Sequence, residues 1–341
     1  MRKLIALVLT LVLAMTAVSA LADGKLVVYT PNPDAEIKYI LNTFAEKYNV
    51  EIEMMSMGTG DCYTRLLAEK EAPIADVLFG GVESTWTHDY PDLFMTYYAN
   101  GNERLPEEYQ NPDGMITNYI LGGSCVMIVN DELEAELGLK ITSYADLLNP
   151  ALKGQIASAD PNASSSSFAH LSNILLAMGD GECPYESEAA WNYVAALIEQ
   201  LDGAYTSGSS AVYKGVTNGE YVVGLTYEVG AVGYIANGAQ GVRAVYPSEG
   251  VCWTPVGSAI VNGAKNVETA KLFMDWLISE ENQAHMASVQ DSVLRGVRTD
   301  LFVANEYMPA FETLNLKQED SEYTSGNKQT ILDHWNDLWN K

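Results

Sequence analysis

The chain has 341 residues, with 45 acidic and 19 basic side chains and a formal net charge of −26 at pH 7. This acidity argues against nucleic acid or an anionic membrane as a partner. It still allows a small anionic ligand, because backbone N–H groups can supply positive potential locally. The length exceeds what one hydrophobic core usually supports, so two lobes are predicted.

The segment 1–22 has the pattern of a secretory signal peptide. Arg2 and Lys3 precede an apolar run from Leu4 to Val18, and small residues follow at Ser19–Ala22. This order of a positive start, a short apolar core and a small-residue cleavage site is typical of export signals, and the run is short for a membrane span. We therefore expect a protein exported to the periplasm or the extracellular space, soluble once the signal is removed.

Four cysteines occur in the chain, and none has a CxxC spacing that would indicate a zinc ribbon or a thioredoxin-type motif. An exported protein can form disulfides, and four cysteines allow three pairings. Cys125 and Cys252 fall in stretches predicted to cross between the lobes, so that pair is the one to test. Four buried free thiols, including Cys62 and Cys183, are the alternative.

Strands and helices alternate at the start of the mature chain. The strands are predicted at Lys25–Tyr29, Val50–Met55 and Ala75–Phe79, and each ends in a turn rich in Gly, Pro or Asn. Three strand–turn–helix repeats predict βαβ units in a parallel sheet, with the turns on one edge. The turn Gly58–Asp61 is no dinucleotide fingerprint, because Tyr63 occupies the place of the third glycine.

Two hydroxyl-rich helix starts follow later strands. Ser164–Ser167 comes after a predicted strand at Gln155–Ala159, and Tyr205–Ser210 precedes a predicted helix at Ala211–Thr217. The first N–H groups of a helix have no intrahelical partner and, together with the helix dipole, favour anions. The strand Tyr221–Leu225 then delivers Tyr227 and Glu228 to its carboxyl end, where open α/β sheets bind ligands.

Two apolar stretches are predicted to carry the chain between lobes, Leu121–Asn130 and Cys252–Val261. They divide the mature chain into lobe 1, residues 23–124 and 256–341, and lobe 2, residues 125–255. Catalysis is not predicted. The histidines are scattered, and Ser207–Ser210 lack the GxSxG elbow of a nucleophilic serine. A monomer without a cofactor is expected.

The chain resembles the extracellular solute-binding proteins of ABC importers, in the branch that binds ferric ion or organophosphates. The similarity rests on Leu26–Thr30, Ala75–Gly81, the late helix at Lys265–Gln283 and Val293–Val297. It implies an α/β periplasmic-binding-protein fold of two lobes, each a mostly parallel sheet flanked by helices, joined by two crossing strands. It also implies delivery of the ligand to a membrane permease.

The resemblance leaves two ligand classes open. Ferric binders of this branch carry tandem tyrosines after the matching strand, whereas only Tyr227, with Glu228 beside it, could ligate metal here. Relatives that bind sugar phosphates or phosphonates use hydroxyls and N–H groups at helix starts, which favours a small phosphorylated or phosphonate-bearing anion. The predicted ligand-binding residues are Thr30, Asn32, Thr59, Gly60, Gly81, Ser165, Ser166, Ser207, Ser209, Ser210, Tyr227 and Glu228.

Overall fold

The computed structural model describes residues 24–32, 34–82, 87, 89–122, 125–288 and 293–341. The predicted signal peptide lies outside these residues. The strands are β1 Lys25–Thr30, β2 Glu51–Ser56, β3 Val77–Val82, β4 Thr117–Ile120, β5 Cys125–Asn130, β6 Ile156–Ala157, β7 Val223–Tyr227, β8 Val242–Val245 and β9 Val256–Ile260.

The first helical segment of the described residues, 34–48, is interrupted by a π-helical turn at Ile37–Leu41, so its two parts are numbered α1 and α2. The α-helices of the described residues are α1 Asp34–Glu36, α2 Asn42–Tyr48, α3 Thr59–Ala68, α4 Asp131–Glu136, α5 Ser165–Met178, α6 Glu188–Leu201, α7 Ser209–Thr217, α8 Glu228–Ala236, α9 Val267–Ile278, α10 Glu280–Ser288, α11 Ser321–Gly326 and α12 Lys328–Trp339. Short 3₁₀ turns occur at Asn102–Arg104, Glu107–Tyr109, Ala145–Leu148, Pro150–Leu152, Pro184–Glu186, Thr299–Leu301 and Phe311–Thr313.

The strands form two sheets. The first has the order β2-β1-β3-β9-β4 and the second the order β6-β7-β5-β8. The α/β class is as predicted, and the sheets are mostly parallel as expected, because all strands but one in each sheet run in the same direction. In the first sheet β1 pairs in parallel with β2 and β3, whereas β9 is antiparallel to both β3 and β4. In the second sheet β5 is antiparallel to β7 and β8.

The chain passes from the first sheet to the second and back again. It leaves the first sheet after β4, enters the second through β5, and returns to the first only with β9, which inserts between β3 and β4. The predicted lobe boundaries fall in the stretches after β4 and before β9, and they stay a prediction.

Each sheet is covered on both faces, which explains why its central strands are nearly continuous apolar runs. Along β1, Leu26 and Val28 face one core together with Phe273 of α9, while Tyr29 faces the other together with Leu66 of α3. The second sheet divides its β5 residues between two cores in the same alternating way.

The C-terminal helix α12 packs against the second sheet, whereas the sequence-based division placed residues up to Lys341 in lobe 1. Its Ile331 and Trp335 belong to the core that covers β5 and β7. The Trp335 indole donates to the Tyr205 hydroxyl at 2.7 Å, and the Trp339 ring stacks on that of Tyr205 at 3.9 Å. The chain therefore crosses back to the second sheet at its end.

Candidate functional site

The carboxyl ends of β1 and β3 form one side of the candidate site. The Thr30 hydroxyl donates to the Phe79 carbonyl at 2.7 Å and accepts from the Asn32 N–H at 3.0 Å. Thr30 is fully buried, and its hydroxyl fastens the end of β1 to Phe79 within β3. This local lock fixes the turn that carries Asn32.

The predicted residues Thr59, Gly60 and Gly81 lie at the same edge of the first sheet. Gly81 has φ +70°, and a Cβ there would lie 2.8 Å from Pro31 and 3.2 Å from Thr59. The turn therefore needs glycine both for its left-handed backbone and for its close approach to α3. Helix α3 starts at Thr59 without a side-chain cap, which leaves its first N–H groups available to a ligand.

The two serine-rich helix starts lie side by side on the second sheet. A parallel bridge joins Ala159 to Thr206 and so sets the segment before α5 beside the segment before α7. At α5 the Ser164 hydroxyl accepts from the Ser167 N–H at 3.3 Å and shares a hydrogen bond with the Ser166 hydroxyl. Ser165 is exposed at the same start.

Helix α7 begins differently, because no side chain caps it. Ser209 follows Gly208 directly, and Ser207 and Ser210 are exposed beside it. The start of α7 thus presents N–H groups and hydroxyls that the protein itself does not use as a cap. Together with α5, it groups the five predicted serines at one edge of the second sheet.

A cluster of polar side chains from both sheets lies between these two edges. The Asn32 amide donates to the Tyr119 hydroxyl at 2.8 Å, and that hydroxyl donates to Glu36 Oε2 at 2.6 Å. Tyr227, the last residue of β7, meets the Tyr213 ring edge-on at 6.4 Å, and its hydroxyl interacts with that of Tyr213. We call these five residues the interlobe polar cluster.

Glu36 has an unusual protonation state for a glutamate. It is 3% exposed, and burial raises its pKa to about 8, although the hydrogen bond from Tyr119 works in the opposite direction. At neutral pH the carboxyl group therefore carries a proton most of the time. Its charge, once formed, also raises the pKa of Tyr227, which places the two groups within electrostatic reach of each other.

Sequence analysis missed three members of the interlobe polar cluster: Glu36, Tyr119 and Tyr213. One signal for Glu36 was available, since Glu36, Ile40 and Phe44 are spaced four residues apart on the apolar stripe of a helix. An acidic residue on a buried stripe indicates a specific partner. Tyr119 comes from β4, a strand that was not predicted from the sequence.

Glu228 lies inside the protein, away from solvent. Its carboxylate accepts from Arg295 Nε at 3.0 and 2.9 Å, from the Tyr246 hydroxyl and from Trp253 Nε1 at 3.4 Å. Both charged side chains are 0% exposed. All the hydrogen bonds found for this carboxylate come from the protein, so the conformation described does not present it to a ligand.

Arg295 links the two sheets. Its backbone carbonyl accepts from the Leu121 N–H at 2.7 Å, next to β4, while its side chain reaches the first residue of α8 in the second sheet. The rings of Trp253, Phe302 and Phe311 surround the guanidinium at 4.4–5.2 Å. The pair therefore fixes the start of α8, and with it Tyr227, relative to the first sheet.

No group of three or more His, Cys, Asp or Glu side chains within the described ranges is arranged to hold a metal ion. Two surface depressions, of about 370 and 390 Å³, lie elsewhere, along 138–149 and around 24–25 and 45–51. In the part of the chain that the structure describes, no helix is long and apolar enough to cross a membrane.

The fold and the interlobe site together define a two-lobed binding protein. Residues 40–307 match the family of bacterial extracellular solute-binding proteins, and the chain belongs to that family. A probable ABC transporter periplasmic-binding protein of Sinorhizobium fredii is 24% identical over 280 residues, covering 81% of this chain and 75% of the relative.

Solved structures share the fold. The periplasmic binding protein AfuA of Actinobacillus pleuropneumoniae, with fructose 6-phosphate bound, aligns with TM-score 0.79 at 24% identity over 93% of this chain and 99% of that one. The ferric binding protein of Campylobacter jejuni aligns with TM-score 0.70 at 16% identity over 92% and 99%. These likenesses show the fold, and the family makes the chain a solute-binding protein and not an enzyme.

Proposed function

We propose that this protein is the substrate-binding component of an ABC importer. It captures a small phosphorylated or phosphonate-bearing organic anion between its two sheets and passes it to the membrane permease of that importer. The observation that carries the proposal is the start of α7, which has no side-chain cap and lies beside the hydroxyl-rich start of α5. N–H groups, hydroxyls and the positive ends of two helix dipoles converge there, which suits a phosphoryl group. AfuA, with fructose 6-phosphate bound, supports this ligand class.

The predicted residues have different roles in this proposal. Ser165, Ser166, Ser207, Ser209 and Ser210 bind the anion from the second sheet. From the first sheet Asn32, Thr59, Gly60 and Gly81 close over the ligand, and Thr30 holds their turn in place. Tyr227 contacts the organic part, whereas Glu228 acts through Arg295 as a positioning residue.

The proposal is tested by Ser209→Ala, with Ser321→Ala as the matched control. Both serines open a helix, but Ser321 starts α11, far along the chain from the site and next to a cap supplied by Asp320. A hydrogen bond to a charged group contributes roughly 1.5–3 kcal/mol, so Ser209→Ala should weaken binding about tenfold or more. Calorimetric affinities that are equal in both variants would remove Ser209 from the site.

A thermal-shift screen identifies the ligand class. It compares hexose phosphates, glycerol phosphate, aminoethylphosphonate and inorganic phosphate with ferric citrate. A ligand present at 100 times its dissociation constant adds about 2.7 kcal/mol to the free energy of unfolding. Stabilisation by the phosphoryl compounds alone is the expected result.

Ferric ion is the second candidate, and one observation favours it. Tyr213 is next to Tyr227 in space, so two phenol groups are close together although they are not adjacent in sequence. Ferric loading would then give a visible phenolate-to-iron absorption band that Tyr227→Phe abolishes. Stabilisation by ferric citrate alone, with that band, would reverse the order of the two candidates.

Ligand binding is expected to close the two lobes about the stretches where the chain passes between the sheets. A ligand that contacts both sheets stabilises the closed arrangement by its differential affinity. Small-angle scattering should show a smaller radius of gyration at saturating ligand. An unchanged radius would contradict closure without contradicting binding.

A further inference from the structure

Two of the four cysteines meet where the chain passes between the sheets. Cys125 is the first residue of β5, just after the chain leaves the first sheet, and Cys252 precedes β9, by which the chain returns. Both are buried, with 1% and 3% of their surfaces exposed. Their thiol groups lie within hydrogen-bonding distance of each other.

A hydrogen-bond network holds the two cysteine segments together independently of the thiols. The Cys252 N–H donates to Asn173 Oδ1 at 3.0 Å, and the Asn173 amide donates to the Tyr144 hydroxyl at 2.7 Å. That hydroxyl meets His170 Nδ1 at 3.3 Å, and His170 Nε2 lies 3.0 Å from the carbonyl oxygen of Val126. This buried network runs from the residue after Cys125 to Cys252 itself, so the thiol contact is part of the fold.

We propose that Cys125 and Cys252 form a disulfide that closes the second lobe at its base. The family is extracellular, and disulfides persist in oxidising compartments. The oxidant is a dithiol–disulfide donor of that compartment. One cysteine thiolate attacks the donor's disulfide, and the second thiolate then displaces the donor's thiol. The donor is reduced to two thiols, while the two cysteines lose two protons and two electrons in total.

The other two cysteines lie in separate cores. Cys62 is buried in the core between the first sheet and α3, and Cys183 packs against the core of the second sheet next to Tyr323. Neither is near Cys125 or Cys252 in these contacts. All four cysteines are thiols in the structure, and their positions favour a pairing of Cys125 with Cys252 over any pairing with Cys62 or Cys183.

The time at which the bond forms also follows from burial. Burial and the neighbouring Cys252 raise the pKa of the Cys125 thiol well above its ordinary value, and only the thiolate attacks a disulfide. A folded, reduced protein should therefore oxidise slowly. We expect the bond to form while the chain folds, before β5 is covered.

The first test is a thiol count on wild-type protein that has been refolded with oxidised and reduced glutathione. The protein is denatured with an alkylating agent and digested without reductant, and its peptides are mapped by mass spectrometry. We expect alkylation at Cys62 and Cys183 and one linked peptide that joins Cys125 to Cys252. Four alkylated cysteines, or a linked peptide that contains Cys62 or Cys183, would overturn the proposal.

The second test measures stability. The bond closes a loop of well over 100 residues, for which chain entropy predicts a rise in Tm of about 5–10 °C. Reduction of the wild type should remove this rise in Tm, and so should the double substitution Cys125→Ala with Cys252→Ala. Cys62→Ala with Cys183→Ala is the control and should keep the response to reductant. A control pair that loses this response would overturn the assignment.

Discussion

The buried pair of Glu228 and Arg295 gives the sharpest prediction. Glu228→Gln keeps the shape of the side chain but leaves the guanidinium without a counter-charge. Arg295 cannot give up its proton, because an arginine stays charged in proteins. Its other described hydrogen bonds, from Nη2 to the Pro309 carbonyl at 2.8 Å and with the Tyr246 side chain, carry no opposite charge.

The magnitude follows from the complete burial of both groups. Removal of one partner from a buried ion pair costs roughly 3–5 kcal/mol, because an uncompensated charge remains inside the protein. For a chain of this size such a loss lowers Tm by about 5–15 °C. The doubly substituted Glu228→Gln/Arg295→Met protein has no buried charge left, so it should be more stable than Glu228→Gln alone.

The measurement is a double-mutant cycle: urea unfolding at pH 7 of the wild type, the two single variants and the double variant. The coupling energy should be roughly 2–4 kcal/mol. Single variants within 1 kcal/mol of the wild type, or strictly additive effects, would refute the reasoning.

Three further predictions concern buried groups in and near the site. Burial raises the pKa of Glu36 from 4.5 to about 8, so its contribution to stability is present below pH 4.5 and is lost as the pH rises through 8. In urea unfolding, the free energy of unfolding of Glu36→Gln should rise by roughly 2–5 kcal/mol relative to that of the wild type between pH 5 and pH 9. If the two free energies changed with pH in parallel, the carboxyl group would not be buried. Burial lowers the pKa of His170 from 6.5 to about 4, so its contribution is present above pH 6.5 and lost as the pH falls through 4. The free energy of unfolding should therefore fall by roughly 3 kcal/mol more in the wild type than in His170→Gln between pH 7 and pH 4. Equal falls would show that the His170 imidazole is accessible to solvent. Gly80 has φ +82°, and a Cβ there would lie 1.8 Å from Asn32 Oδ1. Gly80→Ala should cost roughly 1–3 kcal/mol and weaken ligand binding, whereas the helical control Gly326→Ala should be neutral or stabilising. Retained affinity in Gly80→Ala would separate Asn32 from the site.

The sequence by itself determined the features that depend on neighbouring residues. Apolar runs such as Val77–Phe79 are strands because both of their faces are covered, and serines at Ser164–Ser167 open a helix because their hydroxyls cap free N–H groups. These local preferences were enough to predict two α/β lobes and an edge of helix starts on the second one.

Only the tertiary structure decided what the charged and polar groups meet. Glu228 at the end of a strand has the same sequence pattern whether it faces a ligand or Arg295, which is 67 residues away. Glu36 and Tyr119 are likewise brought together from distant segments. The strength of an ionic group's interactions depends on its burial and its partner, and both are set by long-range packing. The same holds for the antiparallel insertion of β9 between β3 and β4, because both neighbours come from segments far from β9 in the sequence.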